Sequence, residues 1–298
     1  MRAIIILFSI LGFMNAKAQN TELIQNGNTI LNVKVYSRDK TEAIILLHGG
    51  PGVPDEMTEI VNILKEEYKV ITFEQRGVGL SKCQKCSFTM NDYISDVDII
   101  IKKLNIKEFH LFGHSWGGLY AQIYAKERPD KIKSLFLCSP SSGTNKIWKK
   151  TENEVMQFNK NNTSKNEWLK MGWNSLLGMF GSDKAYRKLF KQVLKNYHKN
   201  YSKVEIKDEF LNKISSKPIN KTRSEIIKYK LLNEFYNPNF PIIITYGKND
   251  IYGESKNELI KRFPTAKVEI IDNCGHIPWK HNPIEFEMIL NEFYKKAE

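Results

Sequence analysis

A serine placed to act as a nucleophile stands at the centre of a Gly-His-Ser-Trp-Gly sequence, residues 113–117. The residues before it, 108–112, alternate as a strand does, and residues 118–126 have the composition of a helix that ends near Pro129. Gly-x-Ser-x-Gly between a strand and a helix predicts a tight turn that holds the serine hydroxyl clear of the backbone. Ser115 is therefore the candidate nucleophile.

A serine nucleophile needs a base that takes its proton and a carboxylate that orients the base. Two strand-like runs near the C-terminus, 241–246 and 268–272, each end in a polar loop. Asp250 follows the first run and His276 follows the second. Both would lie past the carboxyl ends of strands, where parallel sheets carry their active sites. We therefore expect Asp250 to orient His276, and His276 to accept the proton of Ser115.

Other acids and histidines compete for these two roles. Asp272 is the rival acid, but it lies at the end of its predicted strand. Among the histidines only His276 follows the last strand, since His48 belongs to a glycine-rich loop and His114 cannot easily turn back onto the nucleophile. The remaining three lie in a predicted strand, in an inserted segment and just before a helix: His110, His198 and His281.

A glycine-rich loop upstream is suited to stabilise the negative charge that develops during attack on a carbonyl. The apolar run 43–47 opens into His-Gly-Gly-Pro-Gly at residues 48–52, where glycines allow close approach of backbone N–H groups. The expected oxyanion donors are the backbone N–H groups of Gly50 and of Trp116, the residue after the nucleophile. Because this chemistry is complete without a metal or an organic cofactor, we expect the protein to need neither.

The elements that position these residues alternate along the chain. Strand-like runs occupy 32–37, 43–47, 69–73, 108–112, 132–138, 241–246 and 267–271, and helix-like stretches lie near 55–67, 90–104, 115–127, 254–263 and 283–295. Such alternation predicts an α/β fold with a doubly wound, mostly parallel sheet. It stops between the segments 19–140 and 239–298. We expect residues 141–238 to form a helical cap, inserted after the sixth strand and lying over Ser115.

Three segments resemble the proline iminopeptidase-like group of α/β-hydrolases, peptidase family S33: residues 48–52, 73–81 and 113–118. The chain order of serine, acid and histidine is also that of α/β-hydrolases. The resemblance is good over 43–140, general over 241–295 and poor over 141–238. It implies an α/β-hydrolase that releases an N-terminal residue, proline above all, from small peptides or aminoacyl amides through an acyl-enzyme.

The alternative is a carboxylesterase or lipase-like enzyme acting on small acyl esters, because residues 275–283 resemble such enzymes more closely. An aminopeptidase needs a cap carboxylate that pairs with the substrate ammonium. The sequence offers four without placing any of them: Glu205, Glu209, Glu225 and Glu234. The cap is basic overall, which favours the ester substrate. A non-catalytic binding protein of the same fold would have a damaged nucleophile set or oxyanion loop, and both are intact.

Two features near the second resembling segment have simpler interpretations. Glu74 stands where the family pattern has an aspartate. Arg76 follows it and is expected to tie loops together near the site rather than to bind substrate. Asp96 and Asp98 precede the nucleophile strand on a predicted helix, and we expect both to be solvated surface carboxylates.

The N-terminus predicts export. Residues 1–18 contain a basic start at Arg2, an apolar run over 3–13 and an Ala-Lys-Ala cleavage site, the pattern of a secretory signal peptide cut before Gln19. An uncleaved anchor is the alternative, but the run is shorter than the roughly 20 residues of a spanning helix. We expect a periplasmic or secreted protein without stable membrane insertion after cleavage.

The formal net charge of +12 would suit an anionic partner, but the lysines are spread along the chain and interleaved with acids. We therefore expect a small-molecule or short-peptide substrate and no nucleic acid. Of the four cysteines, Cys83 and Cys86 are close enough to form a local disulfide. Cys138 belongs to a predicted buried strand, and no partner can be inferred for Cys274.

Overall fold

The computed structural model of the chain describes residues 20–55, 57–201, 205–232 and 238–297. The predicted signal peptide and its cleavage point lie outside these described residues. Within this part of the chain, no helix combines the length and the apolar character needed to cross a bilayer.

The described residues include an eight-stranded sheet. Its strands are β1 (Asn20–Asn26), β2 (Thr29–Tyr36), β3 (Ala43–Leu47), β4 (Lys69–Phe73), β5 (Phe109–His114), β6 (Ile132–Cys138), β7 (Ile242–Gly247) and β8 (Lys267–Ile271). The order across the sheet is β1-β2-β4-β3-β5-β6-β7-β8. β1 and β2 pair antiparallel, as do β2 and β4, and the other neighbours are parallel. The predicted mostly parallel α/β sheet is confirmed.

Helices connect the strands. They are α1 (Thr58–Leu64), α2 (Met90–Lys103), α3 (Trp116–Glu127), α4 (Asn145–Asn161), α5 (Lys165–Met179), α6 (Asp183–Tyr197), α7 (Asp208–Asn212), α8 (Ser216–Lys228), α9 (Ser255–Arg262), α10 (Pro278–His281) and α11 (Pro283–Ala297). Helices α4 to α8 lie between β6 and β7, where the sequence predicts the insertion. We call residues 141–238 the cap segment and the rest of the described chain the sheet region.

Both faces of the sheet are covered by apolar side chains. Successive side chains of a strand point to opposite faces, and β5 shows the result. Leu111 packs in a cluster with Val97 of α2 and Leu119 of α3. Phe112, the next residue, packs in the opposite cluster with Phe286 of α11. Strands buried on both faces read as continuous apolar runs, which explains why the central strands were predictable.

The sequence interpretation missed β1. A two-residue turn at Gly27 and Asn28 joins β1 to β2 in a hairpin, with Gly27 at a φ of +58°. A left-handed conformation at this position matches the twist of the paired strands, which is why Gly-Asn is a hairpin signal. The Gly-Asn turn was missed for two reasons. It lies close to the predicted cleavage point, and the residues beside it are more polar than those of the central strands.

The cap segment contacts the glycine-rich loop through a small apolar cluster. Val53, at the end of that loop, packs with Tyr186 of α6, Leu211 of α7 and Ile219 of α8. A Cβ atom on Gly52 would lie 2.5 Å from the Ile219 side chain. The loop therefore needs glycine there because the cap approaches it so closely.

Candidate active site

The turn around Ser115 explains the glycines that flank it. Ser115 has φ 55° and ψ −119°, a strained conformation between β5 and α3. A Cβ atom on Gly113 would lie 2.3 Å from the Gly117 carbonyl oxygen, and one on Gly117 would lie 2.0 Å from the Leu47 carbonyl oxygen. Neither position can hold a side chain, so the glycines allow the tight turn that the sequence predicts.

The structure brings the three predicted residues of the reaction together. His276 Nε2 lies 3.0 Å from Ser115 Oγ, and His276 Nδ1 lies 3.0 Å from Asp250 Oδ1. The side chains of His276 and Asp250 are buried. Asp272, the rival acid, forms an exposed ion pair with Lys248 instead. The arrangement can move the Ser115 proton onto His276 while Asp250 orients the imidazole.

The surroundings of Asp250 keep it ionised. Burial would raise the pKa of this carboxyl group, but the adjacent His276, the Ser139 hydroxyl and the Tyr252 N–H together hold the pKa below its ordinary value. Favourable interactions with the charged form therefore outweigh desolvation. A carboxylate in this state stabilises the imidazolium that forms when His276 accepts a proton.

The glycine-rich loop lies against the nucleophile. A Cβ atom on Gly49 would lie 3.1 Å from the Ser115 Cβ and 2.9 Å from His114 Nδ1. Gly50 follows with a φ of +52°, a conformation that favours glycine. Trp116 follows Ser115 and begins α3, so its N–H also points out of a helix N-terminus. The two predicted oxyanion donors thus come from segments that meet at Ser115.

Gln75 links these two segments. Its backbone N–H donates to His48 Nε2 over 3.2 Å, its side-chain amide donates to the His48 carbonyl over 2.9 Å, and its Oε1 accepts from Trp116 Nε1 over 2.8 Å. Burial lowers the pKa of His48 to about 4, so His48 is neutral and can accept the backbone bond. His48 therefore has a structural role in the loop, as predicted.

His114 holds the loop of the candidate base, a contact that the sequence analysis missed. Its Nε2 donates to the His276 carbonyl oxygen over 2.8 Å, and its ring packs edge-on against Trp279 at 4.6 Å. Burial lowers the pKa of His114 to about 3, which keeps the ring neutral. Its position beside Ser115 suggested no such contact, because the partner is 162 residues away in sequence.

Tyr252 is a second residue that the sequence analysis missed. Its hydroxyl lies 3.2 Å from Ser115 Oγ and 2.7 Å from Ser141 Oγ, and its ring packs edge-on against His276. Burial raises the pKa of Tyr252, so it keeps its proton. Because Ser115 directs its own proton to His276, Tyr252 is the donor to Ser115 Oγ. The sequence did carry one indication of this contact, since Tyr252 lies only two residues after the candidate acid Asp250.

The cap segment also reaches this site. Tyr197, at the end of α6, packs edge-on against the His276 ring at 5.2 Å. Glu154 of α4 accepts the backbone N–H groups of Gly253 and Ser255, each over 2.9 Å. These contacts connect the cap to the loop that carries Asp250.

The structure describes three of the four cap carboxylates considered for the substrate ammonium. Glu205 and Glu209 are exposed, and Glu225 pairs with Lys228 on α8. Glu234 lies outside the described residues. The hydrogen bonds and ion pairs of the described chain connect none of the first three to Ser115.

Arg76 has the structural role that the sequence predicts. Arg76 is buried and donates to both carboxylate oxygens of Asp96, over 2.8 and 2.7 Å. The prediction of a solvated Asp96 is wrong, because this carboxylate is fully buried as the partner of Arg76. Asp98 is half-buried, accepts from Tyr124 and pairs with Arg128. Two residues of α2 thus separate a buried ion pair from a surface one, because they lie on opposite sides of the helix.

The cysteines and the metal-ligating side chains add no further centre. Cys83 and Cys86 form a disulfide in the loop after β4. Cys138 and Cys274 are buried free thiols, as the core assignment of Cys138 predicted. Among the described residues, no group of three or more histidine, cysteine or carboxylate side chains is arranged to hold a metal ion.

The family model described as the alpha/beta hydrolase fold matches residues 42–283, well over half of the chain. The chain belongs to the α/β hydrolase fold family. This membership confirms the predicted hydrolase fold and supports an enzyme of the hydrolase class.

Among relatives of this α/β-hydrolase is a proline iminopeptidase of Lactobacillus delbrueckii subsp. bulgaricus, which is 21% identical over 293 residues, 88% of this chain and 94% of that protein. The structure of proline iminopeptidase from Mycobacterium smegmatis superposes with a TM-score of 0.66 at 15% identity, covering 93% of this chain and 98% of that one. Naproxen esterase from Bacillus subtilis superposes with a TM-score of 0.60 at 14% identity, covering 94% and 92%. The resemblance to proline iminopeptidases is therefore supported, while the fold is shared with esterases.

Proposed function

We propose that this α/β-hydrolase is a serine hydrolase that cleaves small acyl substrates through an acyl-enzyme. The proposal depends on one observation, the pair of 3.0 Å contacts that connect Ser115 to His276 and His276 to Asp250. In the first step Ser115 Oγ bonds to the carbonyl carbon while its proton passes to His276 Nε2. The carbonyl oxygen becomes an oxyanion that accepts from the N–H groups of Gly50 and Trp116.

The intermediate then collapses. The bond from carbon to the leaving nitrogen or oxygen breaks, and His276 gives its proton to that atom, which leaves an ester on Ser115. The oxygen of a water molecule then bonds to the ester carbon while His276 accepts a proton from it. The bond from carbon to Ser115 Oγ breaks last, His276 returns the proton to Oγ, and the carboxylic acid is released. The Tyr252 hydroxyl donates to Ser115 Oγ, so it stabilises the partial negative charge that Oγ carries in both the first and the last step.

For the substrate we propose release of an N-terminal residue, proline above all, from small peptides or aminoacyl amides. Support comes from three resembling segments, at residues 48–52, 73–81 and 113–118, and from relatives that are proline iminopeptidases. Small acyl esters are the second candidate. They are favoured by the basic cap, because an ester without an amine needs no cap carboxylate.

Replacement of the nucleophile tests the chemistry. We expect Ser115→Ala to lower turnover by on the order of 10⁴-fold with an unchanged unfolding midpoint. A matched control is Ser134→Ala, which removes a buried hydroxyl bonded to His110 Nδ1 on the neighbouring strand; it should retain activity. Wild-type rates in the Ser115 variant on every substrate tried would show that the reaction occurs elsewhere.

One pair of substrates separates the two candidates. The same leaving group is carried by prolyl substrates with a free and with a blocked amine. An aminopeptidase should strongly prefer the free amine, because the blocked form leaves a binding carboxylate without its partner. Equal rates, or activity on simple esters alone, would establish the esterase and leave the roles of Ser115, Asp250 and His276 unchanged.

We further propose that the protein is exported, with removal of residues 1–18, on the basis of the tripartite N-terminus. Intact-mass measurement of the protein secreted by its native cell type tests this point. A mass that begins at Gln19 is expected, and a mass that retains residues 1–18 would indicate an anchor.

A further inference from the structure

Helix α5 of the cap segment turns large apolar side chains toward solvent. Leu169 is 71% exposed, Trp173 62%, Leu176 40% and Phe180 84%. Their spacing, with Phe180 directly after the last helical residue, places all four on one face of the helix. We call these four residues the apolar stripe. A helix of a soluble domain ordinarily buries such a face, so this one is available for a partner.

The opposite face of α5 already has its partner inside the cap. Met171 and Gly178 are buried there, and a Cβ atom on Gly178 would lie 2.2 Å from the ring of Tyr186 on α6. Asn220 of α8 donates to the Gly178 carbonyl oxygen over 2.9 Å. Met171, Gly178 and the Gly178 carbonyl oxygen thus hold the helix on one face, and the apolar stripe lies on the opposite face.

The positive charge of the protein is concentrated in the same segment. Residues 141–238 hold 20 of the 45 lysine and arginine residues but only 9 of the 33 acidic ones. They therefore contribute +11 of the formal +12, and the rest of the chain is close to neutral. This agrees with the basic cap expected from the sequence, because acids balance bases outside the cap but not within it.

Exposed lysines lie beside the apolar stripe. Lys165 is one helical turn before Leu169 on the same face, and Lys170 borders that face. Helix α6 carries further exposed lysines at the spacing of a single helix face: Lys184, Lys188, Lys191 and Lys195. Lys191 pairs with Asp208. Lys165 and Lys170 therefore border the apolar stripe directly, within a cap segment whose formal charge is +11.

We infer that the cap docks on an anionic lipid surface through the apolar stripe. Tryptophan, phenylalanine and leucine on one helix face with lysine around them are the composition of a helix that lies in the membrane interface. Lysines near an anionic leaflet add electrostatic attraction. Two caps of charge +11 would repel each other, which disfavours a second copy of the chain as the partner. A nucleic acid would use the lysines but not the exposed aliphatic side chains.

The docking surface is connected to the candidate active site. Helix α5 packs on α6 through Tyr186, and α6 ends at Tyr197, whose ring contacts His276. A lipid surface that holds α5 would therefore hold the helix pair whose far end closes over the candidate base. This docking does not depend on which acyl substrate the enzyme takes.

Vesicle co-sedimentation tests the inference. The purified chain is mixed with vesicles of phosphatidylcholine, with or without about a third of phosphatidylglycerol, at low and at physiological ionic strength. We expect binding to the anionic vesicles that weakens with salt. Trp173→Gln with Phe180→Gln should lower the partition coefficient by roughly tenfold or more, since these side chains would supply most of the buried apolar area. Lys165→Gln with Lys170→Gln should lower it by about fivefold per lysine.

A matched control comes from the sheet region. Ile284 on α11 is 76% exposed, so Ile284→Gln removes a comparable apolar surface away from the cap and should leave vesicle binding unchanged. All variants share the same N-terminus, so any binding through residues 1–18 is common to all. Hydrolysis of a soluble substrate should be unchanged in each variant, which reports that the fold is intact.

Three results would overturn the inference. The first is equal vesicle binding by the wild type and the Trp173/Phe180 variant, or no binding by either. The second is a dimer of the wild type in light scattering that this variant abolishes while vesicle binding persists. The third is salt-dependent binding to RNA as tight as that to vesicles and insensitive to the variant, which would mean that charge acts without the apolar stripe.

Discussion

In the sheet region, Arg76 donates to both carboxylate oxygens of Asp96 with the pair fully buried, whereas in the cap Arg223 makes the same two-point contact with Glu152 at the surface. The difference extends beyond these pairs. The nucleophile turn is held by backbone packing at Gly117, and the sheet region is nearly neutral. The cap is strongly basic and leaves an apolar face exposed. The reacting groups of the sheet region are thus held in place by buried contacts. The cap, which exposes charge and an apolar face to solvent, is held by weaker, solvent-exposed contacts.

Replacing each of the two arginines tests whether the buried pair stabilises the fold more than the exposed one. Arg76→Leu leaves the Asp96 carboxylate buried without its partner, so we expect the free energy of unfolding to fall by about 3–5 kcal/mol. Arg223→Leu removes an exposed pair and should cost about 0–1 kcal/mol. Denaturant unfolding of both variants measures the difference.

A double variant controls for the loss of packing at this site. Arg76→Leu with Asp96→Leu removes both charges, and it should recover a large part of the lost stability because no uncompensated charge remains. If the two single arginine variants were equally stable, the buried and exposed pairs would be energetically alike and the contrast between the regions would fail.

Removal of the Tyr252 hydroxyl tests whether a contact to Ser115 affects turnover more than a similar contact in the cap. Tyr252→Phe deletes the donor to Ser115 Oγ. A neutral hydrogen bond of about 0.5–1.5 kcal/mol corresponds to a loss of about two- to thirteenfold in kcat. Tyr186→Phe in the cap deletes a hydroxyl that donates to Asn220 over 2.6 Å, and kcat should not change. Steady-state kinetics on one substrate compares them, and equal effects would argue against a role of Tyr252 in the reaction.

The boundary between the two regions should weaken in acid. His198 at the end of α6 and His281 of α10 lie 2.9 Å apart, and His281 Nδ1 accepts the Gly275 N–H. Burial lowers the pKa of His198 to about 4 and that of His281 to about 3. Lys280 adds positive charge near His198, and His281 also lies near His276 and Asp250. Both rings are therefore neutral in the folded protein at pH 5.

The sign of the effect follows from the lowered pKa values. Between pH about 6.5 and about 3 the unfolded chain binds protons that the folded pair does not fully bind. The stability that the pair contributes is complete above this range and is lost as pH falls through it. After allowance for solvent screening we expect about 1–2 kcal/mol. In the His198→Asn variant, the melting temperature should fall less steeply than in the wild type as pH is lowered. An unchanged dependence of melting temperature on pH would mean that other groups cause the acid sensitivity.

Much of the site could be predicted from the sequence because its residues lie in short segments with local signals of their own. Ser115 was predictable since the glycines around it are required by a local turn, and Asp250 and His276 since each follows a buried apolar run. The burial of Asp96 shows the opposite case. Asp96 looked like a surface residue because its partner, Arg76, is 20 residues away in sequence and is brought to it only by packing of α2.

The sequence by itself determined the alternation of the central strands and helices, the nucleophile turn and the polar loops at the strand ends, because those depend on side-chain periodicity and on backbone conformation over a few residues. Only the tertiary structure decided the contacts that tune the site. Tyr252 reaches Ser115, and His114 holds the carbonyl of His276, across 137 and 162 residues of chain. Periodicity carries no information about such pairs, since they form only after the sheet has aligned the ends of its strands. The exposure of the apolar stripe was decided in the same way, because a helix pattern shows which residues share a face but not which face meets the rest of the protein.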